Sequence, residues 1–176
     1  MAQTTKEAIA ASLKRLLTQK PLSKITVTDI AKECKVSRHT FYYHFRDVYD
    51  LMEWIYRTQE TELPESGKAD WRQGMAELFR RLQENRTVVE STLRSGSRDC
   101  LLPSLCQRTR ALSQALVEET CGSMSPSRRE CLACFYKHAL AGVVLDWAES
   151  GMRRDPAEIL SDLDVALPAP PLNGDK

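Results

Sequence analysis

Residues 25–51 constrain the fold most. Two short amphipathic helical segments lie there, separated by a turn of about three residues, which leaves room only for a direct helix-to-helix corner. Thr26 and Asp29 stand at capping-box spacing and open the first segment, predicted to stop near Lys35, with Val27, Ile30, Ala31 and Cys34 on its buried side. Ser37 is then placed to cap a second segment over residues 38–45, with Val36 as the apolar residue before the cap. The small Ala31 allows the two segments to pack closely, and Ile30, Cys34, Val36, Phe41 and Phe45 supply the core between them. What remains on the other side of the second segment is Arg38, His39, Thr40, Tyr42, Tyr43 and His44. These are hydrogen-bonding groups, several on planar apolar bodies. Such a set suits a helix that meets base edges and phosphates.

Helical periodicity dominates the rest of the chain, and no alternating segment is long enough for a strand. A first helix runs from a cap at Thr4 or Thr5 to about Gln19, with the stripe Ile9, Leu13, Leu16 and Leu17, and Lys20-Pro21 stops it. Asp47 is placed to cap a fourth helix carrying Leu51, Met52, Trp54 and Ile55. After a loop at Pro64-Glu65-Ser66-Gly67, helices are expected over residues 69–84, 87–95, 99–121, 126–150 and 157–166. Ser125-Pro126 and Asp155-Pro156 mark two of the starts, Gly122 and Gly151 two of the ends. The expectation is an all-α chain: a three-helix helix-turn-helix head over residues 1–46, a helical-bundle body over 47–167, and a disordered tail over 168–176.

Charge distribution adds to this. The net charge is only +1, but residues 1–50 hold nine Lys or Arg against five acids, an excess of four. The remaining residues hold 16 basic against 19 acidic side chains, a deficit of three. A basic head on an acidic body fits a phosphate-binding module joined to something else. No apolar leader opens the chain, and the run Ala139–Leu145 is too short to cross a bilayer, so a cytoplasmic protein without membrane contact is expected.

At the residues above, the chain resembles the TetR family of regulators. The run Ile25-Thr26-Val27-x-Asp29-Ile30-Ala31, then Val36-Ser37-Arg38-x-Thr40-Phe41-Tyr42-x-His44-Phe45 and Leu51, follows that family's pattern across about residues 6–55. Lys20-Pro21-Leu22-x-Lys24-Ile25 and Gly142-Val143-Val144-x-x-Trp147 look like one subgroup, which includes regulators of dihydroxyacetone kinase. The resemblance implies a homodimer that binds double-stranded operator DNA and an unidentified small-molecule effector. It implies that Tyr42 and His44 touch phosphates and that Arg38, His39, Thr40 and Tyr43 enter the major groove, with Arg38 best suited to a guanine. Thr26, Lys35, Ser37 and Arg46 complete the expected DNA-facing set. Two positions depart from the family: Lys35 stands where glycine is common in the turn, and Val48 where the fourth helix usually begins with lysine. Arg46 is the available substitute for that missing cation.

The body gives softer expectations. Trp54, Met75, Phe79, Leu101, Leu105, Phe135 and His138 are candidates to line an effector pocket, against a simply filled core. Leu140, Val143, Val144 and Trp147 follow helical spacing and are dimer-interface candidates, or equally face the subunit's own core. Cys131 and Cys134 share a helix face and are expected as small core residues, with thiol sensing as the alternative. No metal site is expected: His39 and His44 have no suitably spaced ligand in the head, and the CxxC has no second tight pair. No catalytic set or nucleotide loop stands out, so an enzyme and a cofactor are not expected. The expected function is a repressor released by its effector. The alternative is an activator or adaptor that needs a protein partner at DNA, motivated by Val48.

Overall fold

The computed structural model describes residues 2–58, 70–95, 98–121 and 124–167. Among these the chain is helical and holds no strand. In chain order the helices are α1 (Ala2–Leu17), α2 (Val27–Glu33), α3 (Arg38–His44), α4 (Val48–Thr58), α5 (Trp71–Glu84), α6 (Arg86–Arg94), α7 (Arg98–Cys121), α8 (Pro126–Glu149) and α9 (Pro156–Ala166). A 3-10 turn at Leu22–Lys24, which periodicity did not reveal, buries Leu22 between α1 and α2. The loop at residues 64–67, Gly122 and the tail at 168–176 lie outside the described residues.

The chain divides into two compact units. The first holds α1–α4, α6 and the start of α7 as far as Ser104. Ile9, Leu13, Ile30, Phe41, Leu51 and Met52 are fully buried in it. This unit reaches past residue 46 because α4 and α6 pack with the head helices. The Leu22 amide donates to Ser91 Oγ at 3.0 Å, and the Tyr56 and Thr92 hydroxyls are bonded at 2.9 Å. Both bonds are buried, so their polar groups are satisfied rather than orphaned.

The second unit holds α5, the rest of α7, α8 and α9. Trp71, Met75, Leu78 and Phe79 of α5 form its centre, with Leu105, Leu116, Leu140, Val144 and Leu145. Phe79 meets Trp147 edge to face, with centroids 4.8 Å apart. Gly74 marks a close approach: a Cβ there would stand 2.2 Å from Leu112 Cδ2, so the Leu112 side chain would have to shift. Arg72 ties three helices together, donating to Asp164 at 2.6 Å and to Glu119 at 3.2 Å. At the end of α8, Gly151 (φ +81°) and Met152 (φ +54°) turn left-handed and return the Met152 amide to the Trp147 carbonyl.

This packing corrects two expectations. Leu140, Val144 and Trp147 are 1%, 0% and 4% exposed, so they fill their own subunit's core and offer no face to a second copy; only Val143 is half-buried. Cys131 and Cys134 are exposed, not core. One helix, α8, is long and apolar enough to cross a membrane by length and composition, which the short run Ala139–Leu145 did not anticipate. Tyr136, Leu140, Ala141, Val144, Leu145, Trp147 and Ala148 of this helix pack inward, while Phe135 does not.

Candidate nucleic-acid interface

The site begins with two caps. Thr26 Oγ1 accepts from the Asp29 amide at 3.2 Å, and Asp29 Oδ2 accepts from the Thr26 amide at 2.9 Å. Lys20 lies 2.9 Å from the same carboxylate. Together Lys20 and Thr26 hold the Asp29 carboxyl far below the usual range, so the box stays charged at neutral pH. Ser37 Oγ accepts from the Thr40 amide at 3.0 Å and starts α3. Between the caps, Lys35 takes the left-handed conformation (φ +57°), and the Val36 amide reaches back to the Ala31 carbonyl at 2.9 Å. The corner thus has the geometry for which glycine is favoured, built with a lysine.

Phe41 anchors α3. It is fully buried and packs on Phe45 with centroids 5.8 Å apart, and Phe45 packs on Trp54 at 5.7 Å. Cys34 and Val36 are half-buried at the edge of this hub. With Phe41 inward, helical spacing turns the neighbours outward. Arg38 and His39 are exposed, Tyr42 is 50% exposed and Tyr43 is 78% exposed. The Arg38 guanidinium lies over the Tyr42 ring at 5.9 Å, and Tyr43 meets His44 edge to face at 5.0 Å. Tyr42 still leans on Phe41 edge to face at 5.7 Å, but burial does not account for Tyr43.

The other expected residues are placed differently. Thr40 and His44 are half-buried. Thr40 Oγ1 is 2.9 Å from Ser37 Oγ, and Thr26 Oγ1 donates to Asp29 at 2.8 Å. Both threonine hydroxyls, and Ser37, are therefore committed to caps before any ligand arrives. Lys35 is exposed, and the Arg46 side chain is 84% exposed with Asp50 at 3.7 Å. Val48 is 8% exposed and packs into the core, so its side chain offers no charge to a ligand. The first turn of α4 is closed by Asp47, whose Oδ1 accepts from the Tyr49 and Asp50 amides at 2.8 Å. Tyr49, 46% exposed, was passed over in the sequence. The available signal was its place one residue after Val48, opposite the buried stripe of Leu51, Met52 and Ile55.

Replacing Lys35 with glycine tests the corner. Left-handed backbone costs a non-glycine residue about 1–2 kcal/mol, and glycine's greater freedom in the unfolded chain takes back about 0.5–1. The variant should melt slightly higher by circular dichroism while binding DNA less tightly. A lower melting point would show that Lys35 carries no strain.

The candidate pocket residues fall in both units. Trp54, which packs on Phe45, and Leu101, 1% exposed, belong to the first; in the second, Met75, Phe79 and Leu105 are at most 1% exposed, while Phe135 and His138 are exposed, Phe135 to 64%. An open groove of about 490 Å³ lies instead in the second unit, between α7 and α8. Arg110, Glu118, Arg129, Glu130, Cys134 and Lys137 are among its walls. Arg129 donates to Glu118 at 3.1 Å, while its Nε is buried with no acceptor. Among the described residues no three metal-ligating side chains converge.

A family profile for bacterial regulatory proteins of the tetR family matches residues 9–54, and one for a transcriptional regulator C-terminal region matches residues 69–167. A curated relative, the HTH-type dhaKLM operon transcriptional activator DhaS of Lactococcus lactis subsp. lactis (strain IL1403), is 32% identical over 88 residues, 49% of this chain and 47% of its own. The chain thus matches about half the length of that relative. Of solved structures, the dihydroxyacetone kinase operon activator DhaS has a TM-score of 0.68 at 20% identity over 93% of both chains. A TetR transcriptional regulator from Rhodococcus sp. RHA1 has a TM-score of 0.61 at 17% identity over 94% of both. At such identities the likeness is one of fold.

Proposed function

We propose, from the premise that this chain belongs to the TetR family of bacterial transcription regulators, that α3 reads operator DNA through Arg38, His39, Tyr42 and Tyr43. The observation that carries this reading is the outward presentation of those four side chains on a helix anchored by buried Phe41. Arg38 pairs with a guanine, Tyr42 and His44 hold phosphates, and Lys35 and Arg46 add positive charge at the edges. Thr26, Ser37 and Thr40 act mainly by fixing the two helices. Functionally, residues 1–46 engage DNA and residues 47–167 bind effector and partner copy, in the cytoplasm.

The homodimer forms through the outward face of α8, where Phe135 is uncovered and a Cβ on Gly142 would meet nothing within 4 Å. Two heads then meet half-sites about one helical turn apart. The effector occupies the groove between α7 and α8, where the Arg129 Nε donor supports a ligand with an oxygen acceptor. Its binding changes head spacing and releases a repressor from its operator. A second reading has its own support. The curated relative is an operon activator, and buried Val48 removes one phosphate contact. In that reading the protein activates, and needs a protein partner to hold DNA.

The test is retardation of a fragment from the protein's own promoter region against random DNA. Specific binding about a thousandfold tighter or more is expected, weakening steeply with salt. Equal retardation of both fragments would overturn the operator reading. Specific binding that appears only with a recovered protein partner would favour the second.

A further inference from the structure

Free cysteine is among the most buried residue types, yet Cys131 and Cys134 are both exposed on α8. Three residues apart on a helix, they stand on one side of it. Cys134 is rotated about 100° around the helix from Phe135 and forms part of the groove wall that α8 shares with α7, while Cys131, one turn before Phe135, stands on the side of α8 nearer the face given to the second copy.

We propose that Cys131 and Cys134 form a dithiol clamp for a trivalent, thiophilic metalloid or soft ion bridged by two sulfurs. Geometry selects a bridge over a disulfide. Side chains three apart on a helix hold their Cβ atoms about 5–6 Å apart. A disulfide needs about 3.5–4.5 Å, so closing one distorts the turn, whereas a bridging atom between the sulfurs supplies the missing length. Geometry also selects two-coordination over a tetrahedral zinc centre, because no third ligand converges among the described residues. Soft thiolates favour soft acceptors. The remaining described thiols compete poorly: Cys121 is buried, Cys34 and Cys106 are half-buried, and burial pushes the Cys106 thiol up.

For a monosubstituted arsenic oxide the step balances without redox change. Two S–H bonds and the arsenic–oxygen double bond break, and two As–S bonds form. Both protons and the oxygen leave as one water, and arsenic stays trivalent. The substituent on arsenic then has the adjoining groove to occupy, with Arg110, Arg129 and Lys137 on its walls.

The probe is phenylarsine oxide, added to reduced full-length protein and read by intact mass. The expected result is one adduct that survives a large excess of 2-mercaptoethanol and is stripped by 2,3-dimercaptopropanol. Cys131→Ser and Cys134→Ser should each abolish the monothiol-resistant adduct, whereas Cys106→Ser should keep it. Both key positions are exposed, so neither variant threatens the fold, and circular dichroism checks this. Loss of the wild-type adduct to 2-mercaptoethanol, or its persistence in either single-serine variant, would overturn the proposal.

Discussion

Phe41→Ala should lose about 3–5 kcal/mol of stability, the usual cost of deleting a buried aromatic. Phe41 is fully enclosed, and its ring packs on Tyr42 and Phe45 at 5.7 and 5.8 Å. Domains of this size hold about 5–15 kcal/mol in total, so the loss takes a large share. Urea denaturation followed by circular dichroism should show the midpoint fall, and DNA retardation should disappear with it. The informative partner is Tyr43→Ala, two residues away and 78% exposed. Surface substitutions of that kind change stability by about 0.5 kcal/mol or less, so Tyr43→Ala should melt like the parent and still bind DNA poorly. If Phe41→Ala melts normally, α3 is not held by the hub described above. If Tyr43→Ala binds the operator undiminished, that face of α3 is not the reading face.

Arg38→Ala should weaken operator binding by about 1–3 kcal/mol, or roughly 5- to 150-fold, with little change on random DNA. The reason is geometric. Arg38 is the first residue of α3 and lies over Tyr42, which limits where its guanidinium can point. A forked donor so held can meet two acceptors on one guanine edge. Arg46→Ala should behave differently, weakening specific and random DNA alike and lowering the slope of log affinity against log salt by about 0.9, one phosphate's worth. Titrations at several salt concentrations separate the two patterns. An Arg38→Ala variant that loses affinity equally for all sequences would reduce Arg38 to a phosphate contact.

The head was legible because its information is local. Thr26-x-x-Asp29, Ser37 before Arg38, and Asp47 before the fourth helix each name a cap from neighbours within a turn, and each cap is formed. Helix ends fell within two residues of expectation, except that α1 already begins at Ala2, ahead of the expected cap at Thr4 or Thr5, and that the 3-10 turn at Leu22–Lys24 replaced plain loop. Lys35 was also readable: its left-handed backbone follows from the family's preference for glycine there. What failed was any inference needing the direction a side chain takes within a long helix. Both α7 and α8 run 24 residues, and apolar side chains lie all around each of them. Periodicity then cannot say which stripe of α8 is inward. For Trp147 and Val144 interface and core were equally open, and both are buried; Cys134 and Phe135 were placed inward and are exposed.

The sequence by itself determined the helical class, the two capped helices around Lys35, and which side of α3 is apolar. These follow from hydrogen bonds and spacing within about a turn of chain, which no distant contact needs to supply. Only the tertiary structure decided that Val48 fills the core in place of a cation, that Met75, Phe79 and Leu105 are buried, and that the CxxC of α8 faces out, with Cys134 on the wall of a groove lined by charges of both signs. Those outcomes depend on which helices approach and how closely, as Gly74 against Leu112 shows. Close approach is a property of surfaces far apart in the chain, and no single stretch of residues encodes it.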